Sequence, residues 1–186
     1  MEPDVSLGPM TPEDLEAFID EEVFDYARER ELDGTWSRRD SLERAREALL
    51  PVITWERQAA TAERQLLLTA KTSAGQPVAW LWVKLGPPGP RAKTAFLCQV
   101  TVARSRRHQG IGRAVLTALE ATLADAGICE LVLNVWESNL PAKCLYEHAG
   151  YECGVRFDTM RQFRKRLIAE LDAEAPPVDC ETPLAS

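Results

Sequence analysis

A mixed α/β sheet flanked by helices is the fold class that the sequence predicts. The first third reads as helices. The middle then switches to short runs rich in Val, Trp, Leu and Phe. A strand, helix, strand unit follows, with a further short helix and strand behind it, so the order is ββ, β-α-β, α, β. The 186 residues suit one ordinary domain, and 45% hydrophobic with 27% charged residues is a globular balance.

Thr11-Pro12-Glu13-Asp14 is a helix start: Thr11 caps, Pro12 fits the first helical position and Asp14 complements the dipole. Leu15, Phe18, Ile19, Val23 and Tyr26 continue it as a stripe until Asp33-Gly34. A second start at Ser37-Arg38-Arg39-Asp40 leads into Leu42, Ala45 and Leu49 and is expected to stop before Pro51. Two helices therefore fill residues 12–50. Residues 65–71 and 77–85 are strand-like and joined by Ser73-Ala74-Gly75-Gln76, and Gly86-Pro87-Pro88-Gly89-Pro90 breaks the chain. Residues 94–103 form a further strand. Residues 113–126 form a helix with Val115, Leu119, Leu123 and Ala126 on one face and Gly127 at its end. Residues 129–136 are a nearly continuous apolar strand, 141–149 a short helix stopped by Gly150, and 151–157 a strand. Residues 159–173 fit a helix through Met160, Phe163, Leu167, Ile168 and Leu171. They equally fit a strand face through Arg161, Phe163, Lys165 and Leu167. The proline-bearing stretch 175–186 reads as a flexible tail, leaving one domain over 1–174 with its core at 64–167.

Charge and cysteine usage narrow the function. The net charge of −7 is the wrong balance for a general nucleic-acid binder, and no apolar run approaches the roughly 20 residues a bilayer span requires. The opening residues are acidic and lack an apolar h-region, so a secretory signal is not expected. Five cysteines without a C-x-x-C pair, and only two histidines, give no metal-site pattern and read as reduced thiols in a cytoplasmic protein. Residues 1–50 carry 15 acidic and 6 basic side chains. That excess is either a solvated helix face or a surface attracting a cationic substrate. Trp80 and Trp82, with Trp36, Trp55 and Trp136, read mostly as core, with one or two available to line an acceptor pocket.

The chemistry concentrates where the strand at 94–103 runs through Arg104-Ser105-Arg106-Arg107-His108-Gln109-Gly110-Ile111-Gly112-Arg113 into a helix. The first N–H groups of a helix lack intrahelical partners and, with the dipole, form an anion site. Gly110 and Gly112 let a phosphate approach the main chain, and Arg106, Arg107 and Arg113 add charge. A P-loop would need Gly-Lys-Ser/Thr, but Arg113-Ala114 follows Gly112. A dinucleotide fingerprint fails at Val115, so a dinucleotide oxidoreductase rests on Gly110-Ile111-Gly112 alone. The same residues also suit a plain tight turn with solvated arginines.

A second segment decides between these readings. R-x-x-G-x-G at 107–112, followed by N-x-x-A-x-x-L-Y-E-x-x-G-Y at 139–151, resembles the GCN5-related N-acetyltransferase (GNAT) superfamily in order and separation. The resemblance covers about residues 64–167. It implies a mostly antiparallel sheet with a central splayed parallel strand pair, and acetyl-CoA as acyl donor. It also implies transfer to a primary amine of a small molecule or peptide by direct attack in a ternary complex. Members are often homodimers. No metal, nucleic acid or membrane enters the scheme. Val100 and Val102 would pair with the pantetheine amides, and the N–H near Val100 or Thr101 would polarise the thioester carbonyl. Arg107, His108, Gln109, Gly110, Ile111, Gly112 and Arg113 would hold the pyrophosphate, and Asn139 and Ala142 would flank the cofactor. Tyr146 matches the acid that protonates the departing thiolate.

Many members carry a base in the strand before the loop, where this chain has Cys98 and Gln99. Glu137 is the expected substitute, with Glu22, Asp25, Glu29 or a water chain as alternatives. An alkylamine of pKa about 10.4 must shed a proton first, at about 1.4 kcal/mol per pH unit. The missing strand glutamate also motivates a non-catalytic acyl-CoA-binding or sensing module as the alternative.

Overall fold

The computed structural model describes residues 3–60, 64–86 and 93–168, with side chains throughout except at 52–60. Trp55, most of the 86–90 break and the 175–186 tail lie outside that description. Seven strands form one sheet: β1 (Val5–Pro9), β2 (Gln65–Thr72), β3 (Pro77–Leu85), β4 (Thr94–Val102), β5 (Glu130–Trp136), β6 (Glu152–Phe157) and β7 (Met160–Arg166). Their spatial order is β1-β2-β3-β4-β5-β7-β6, antiparallel throughout except for the parallel pair β4 and β5. Four helices flank it: α1 (Pro12–Leu32), α2 (Ser41–Ala60), α3 (Ile111–Asp125) and α4 (Leu140–His148).

The start of α1 follows from its sequence. Thr11 Oγ1 accepts from the Asp14 N–H at 3.1 Å, while the Asp14 carboxylate accepts from the Thr11 N–H at 3.2 Å. This reciprocal cap satisfies two otherwise orphaned donors. Two elements differ from the sequence expectation, and a third resolves an open one. β1 pairs with β2 although only Val5 and Leu7 give it apolar character. α2 continues through Pro51 to Ala60, its first half docked on α1 through the buried Ala45. Residues 160–166 form a strand because β7 is paired on both sides, to β5 and β6, and Phe163 is fully buried.

The two faces of the sheet are covered differently. Leu131, Leu133 and Val135 of β5 share the main core with Val115, Leu116, Leu119 and Leu123 of α3 and Tyr146 of α4. On the opposite face, Leu15 and Phe18 of α1 pack against Trp80 of β3 and Ala103. Val23 and Ala27 of α1 then meet Ala45 of α2, with Tyr26 edge-on to Trp36 at 5.4 Å.

The parallel pair is short. β4 and β5 are in register only from Thr94 opposite Glu130 to Leu97 opposite Leu133. Just beyond, β4 bulges. Trp82 faces Gln99 and Val83 faces Leu97, so Cys98 is an extra residue in the ladder. A bulge bends its strand and increases the local twist, which turns β4 away from β5.

Leu119 is fully buried at the centre of the main core. Leu119→Ala is expected to lower the unfolding free energy by about 2–5 kcal/mol, read from the urea midpoint at an unchanged m-value.

Candidate active site

Where β4 and β5 part, a cavity of about 110 Å³ opens, lined by Leu97, Cys98, Gln99, Val100, Leu133, Asn134 and Tyr146. Tyr146 comes from the α3/α4 side and is only 5% exposed. Its ring packs against Tyr151 at 5.5 Å and Phe163 at 6.0 Å. Burial raises the Tyr146 phenol well above its usual range, so it stays protonated and able to donate at neutral pH.

Glu22 of α1 stands behind the other wall. Its half-buried carboxylate accepts from Gln99 Nε2 at 2.8 Å and from the Thr101 hydroxyl. Burial raises its pKa, opposed by those two hydrogen bonds. Among the expected bases, Glu22 alone is tied directly to a residue that lines the cavity. Gln99 is no base itself, but it links that carboxylate to the cleft.

Glu137, the expected base, is placed otherwise. Its carboxylate receives Lys143 Nζ and Arg161 Nε, both at 2.6 Å. Lys143 first, then Arg161, holds its pKa down to about 2. So low a carboxyl has little affinity for a proton near neutrality, which does not favour Glu137 as base. Its geometry is that of a clamp joining α4 to β7.

The glycine turn has the predicted form. His108 and Gly110 are left-handed, at φ 59° and 78°, and Gly110 caps α3. The first helical bond runs from the Ala114 N–H to the Gly110 carbonyl. The N–H groups of the first turn, from Ile111, therefore have no carbonyl ahead of them within the helix. A Cβ on Gly112 would meet Leu145 Cδ2 at 3.2 Å, so this glycine lets α3 sit close against α4.

Two of the arginines expected to add charge around the anion, Arg106 and Arg107, have partners within the protein. Arg107 forks onto Asp25 at 2.8 and 2.9 Å, reaches Glu21 at 3.3 Å and donates to the Val102 carbonyl at 2.9 Å. Arg104 pairs with Glu21 at 3.0 Å and lies over the Phe24 ring, and Arg106 donates to Gln76. Val102 therefore already accepts one side-chain bond. Much of the acid in the first third is likewise paired within the molecule: Asp20 with Arg46, Asp33 with Arg30 and Asp40 with Arg44. Asn139 caps α4, its Oδ1 accepting from the Ala142 N–H at 3.1 Å, so these two residues fix the start of the helix that carries Tyr146.

Asn134 was not singled out by sequence. It sits inside the apolar run of β5, and its one available signal is that it is the polar interruption of Leu131-Val132-Leu133-Asn134-Val135-Trp136. Trp80 is core, whereas Trp136, at the end of β5, is 45% exposed. Among the described residues no three His, Cys, Asp or Glu side chains converge as a metal set. No described helix is long and apolar enough to cross a membrane.

A sheet split over a buried tyrosine, with an anion-ready helix start alongside, defines an acyl-CoA-dependent transferase, and the comparisons agree. Residues 21–151 match the acetyltransferase (GNAT) family, and the chain belongs to that family. It is similar to YdgE of Bacillus subtilis, an uncharacterized N-acetyltransferase, at 27% identity over 78% of this chain and 90% of that one. It is also similar to the crystal structure of the acetyltransferase YycN from Bacillus subtilis, with a TM-score of 0.65 at 24% identity. That match covers 83% of this chain and 96% of YycN. The PaiA N-acetyltransferase of Thermoplasma acidophilum, solved in complex with coenzyme A, shares the fold at a TM-score of 0.62 and 19% identity. It covers 88% of this chain and 99% of that one. This chain is thus an acyl-CoA-dependent acetyltransferase.

The Glu137 clamp generates a pH prediction. Its folded pKa lies below the ordinary 4.5, so its stabilisation is full above that value and is lost as pH falls towards about 2. Glu137→Gln is expected to melt below wild type near neutral pH. The gap in Tm is expected to narrow progressively as melts are repeated at lower pH through that window.

Proposed function

We propose that the chain moves an acetyl group from acetyl-CoA to a primary amine of a small molecule or peptide, by direct attack within a ternary complex. The observation that carries this is the parted strand pair, with a protonated tyrosine on one side and a raised carboxylate behind the other. Acetyl-CoA supplies the activated acyl group. Every other element is this chain's own.

The main chain from His108 through Gln109, Gly110, Ile111 and Gly112 to Arg113 would hold the diphosphate, with the helix dipole adding to the attraction. Arg107 contributes by fixing the turn onto α1. The unpaired edge of β4, at Val100 and Thr101, would receive the pantetheine arm as a sheet edge receives an added strand. An N–H there, close to the reacting carbonyl, would stabilise negative charge as it develops. Asn139 and Ala142 would border the arm at the start of α4.

Tyr146 would give its proton to the departing sulfur. Its raised pKa means that the phenol is protonated at neutral pH, so a proton is present as the carbon–sulfur bond breaks. Glu22 would take the proton from the attacking amine through the Thr101 hydroxyl, which already donates to it, or through an intervening water. Its raised pKa brings it nearer the amine it serves and makes it a better base than an exposed glutamate.

Steady-state thiol release with acetyl-CoA and a panel of primary amines tests both roles. Tyr146→Phe is expected to lower kcat about 100-fold or more, with CoA affinity little changed. Glu22→Gln is expected to lower kcat/KM and to remove the acid limb of its pH profile, because the wild-type carboxylate is lost as pH falls through its raised pKa. Full turnover by Tyr146→Phe at all pH values would refute the assigned acid. An intact acid limb in Glu22→Gln would refute the assigned base.

A further inference from the structure

The stretch of α1 that carries Glu22 is joined to the sheet by polar contacts. Leu15 and Phe18 pack the start of the helix on Trp80 and Ala103, whereas Val23 and Ala27 turn to α2. Glu21, Glu22 and Asp25, at about 100° per residue, fall within about 100° of the helix circumference. All three reach the end of β4 and the turn behind it. Glu22 takes two neutral donors, Gln99 and Thr101. Glu21 takes Arg104, and Arg107 forks onto Asp25 at 2.8 and 2.9 Å while also reaching Glu21 at 3.3 Å. The same guanidinium donates at 2.9 Å to the carbonyl of Val102, the residue after Thr101. One cation therefore grips both the helix that carries Glu22 and the strand end that carries its hydroxyl donor.

Glu137 shows what direct pairing does to a carboxylate. Two cations at 2.6 Å hold its pKa down to about 2 and leave it a poor proton acceptor. At Glu22 the cation stops on the neighbouring carboxylates instead, and among the described residues no salt bridge reaches Glu22 itself. We infer that Arg107 is a positioning residue for the base: Asp25 and Glu21 hold its guanidinium off Glu22, and through them it fixes the α1 segment that presents Glu22 to the split. This deepens the acetyl-transfer reading and rests on Glu22 as its base. Burial is the main cause that raises the Glu22 pKa; after its two hydrogen bonds, the Asp25 charge raises it further and the Arg107 charge lowers it. Among the described residues, the other contacts around this stretch are apolar or paired: Trp80 of β3, Ala45 of α2, Arg104 on Glu21 and Arg46 of α2 on Asp20.

The test profiles kcat/KM for one primary amine against pH at saturating acetyl-CoA, which keeps changes in cofactor affinity out of the measurement. The amine's own ionisation is common to every profile. Arg107→Gln removes the cation: the Glu22 inflection is expected at higher pH, and the rate above it is expected to fall about tenfold or more as the carboxylate loses its placement. Asp25→Asn removes the neighbouring anion and is expected to move the inflection the other way, to lower pH. Arg107→Lys keeps the charge without the fork, so the inflection stays near that of wild type while the rate still drops. A loss of packing alone would lower the rate without moving the inflection. If Arg107→Gln fails to fold, Asp25→Asn carries the test, its side chain being 41% exposed. An inflection that stays put in Arg107→Gln or Asp25→Asn, movement of both in the same direction, or a full rate in Arg107→Lys overturns the inference. Each leaves Glu22 standing as base, provided that Glu22→Gln has lost the acid limb. A limb that survives in Glu22→Gln overturns the base assignment and the inference with it.

Discussion

The extra residue at Cys98 is the constraint on which the site depends. A continuous parallel pair would satisfy every backbone group between β4 and β5 and leave no room for a ligand. With Cys98 bulged, the pairing stops after Leu97 and Leu133, and the facing edges diverge. The strand groups past that point face a cavity instead of one another. Buried peptide groups without partners are costly, so the groups in such a split must be met by water or by a ligand with matching amides. The pantetheine arm of an acyl-CoA has that chemistry. The rest of the sheet resists closure of the split: β3 pairs along nearly all of β4, and β7 pairs along all of β5, so each wall is held from behind.

Electrostatics reinforce the arrangement in an unexpected place. The acidic first third looks like a lure for cations, yet Glu21 and Asp25 are spent on Arg107 and Arg104. Arg107 also donates to the Val102 carbonyl. One guanidinium thus ties together α1, the end of β4 and the turn that starts α3. Its planar fork suits this use, because a bidentate carboxylate contact fixes direction as well as distance. The anion binding proposed for the turn would draw on main-chain groups and the helix dipole, which are set by backbone geometry.

The fold was legible because its signals were local and agreed with one another: the Thr11–Asp14 cap, the apolar face of α3, and the left-handed glycines Gly34, Gly75, Gly110, Gly127 and Gly150. The places where it was not legible share a cause. Residues 160–166 carry both helical and strand periodicities, and only their two neighbouring strands choose between them. Pro51 reads as a stop from sequence, but the helix runs through it, its first half docked on α1 at Ala45. At the site, the glycine turn and Tyr146 were visible because they lie in spaced motifs. The contacts of Glu22 were not, since Gln99 and Thr101 are 77 and 79 residues away and nothing local marks one acid of α1 above its neighbours. Glu137 was attractive for its position just past a strand end. Sequence could not show that Arg161, 24 residues on, would fold back onto it.

Burial raises the pKa of both Tyr146 and Glu22, and the same physical effect prepares them for opposite tasks. For a phenol, the shift suppresses ionisation and preserves a proton for a leaving group. For a carboxylate, it strengthens the hold on a proton about to be received. The sheet keeps these two groups on different sides, Tyr146 beneath the α3 and α4 layer and Glu22 beneath α1. Direct transfer of a proton between them would waste both preparations, and the strands between them prevent it. Under the proposed roles, a proton entering by the carboxylate and one leaving by the phenol would be connected only through the reacting atoms in the split. Amine attack would then be coupled to thiolate departure by that separation, and the separation itself rests on a sheet opened at one bulged residue.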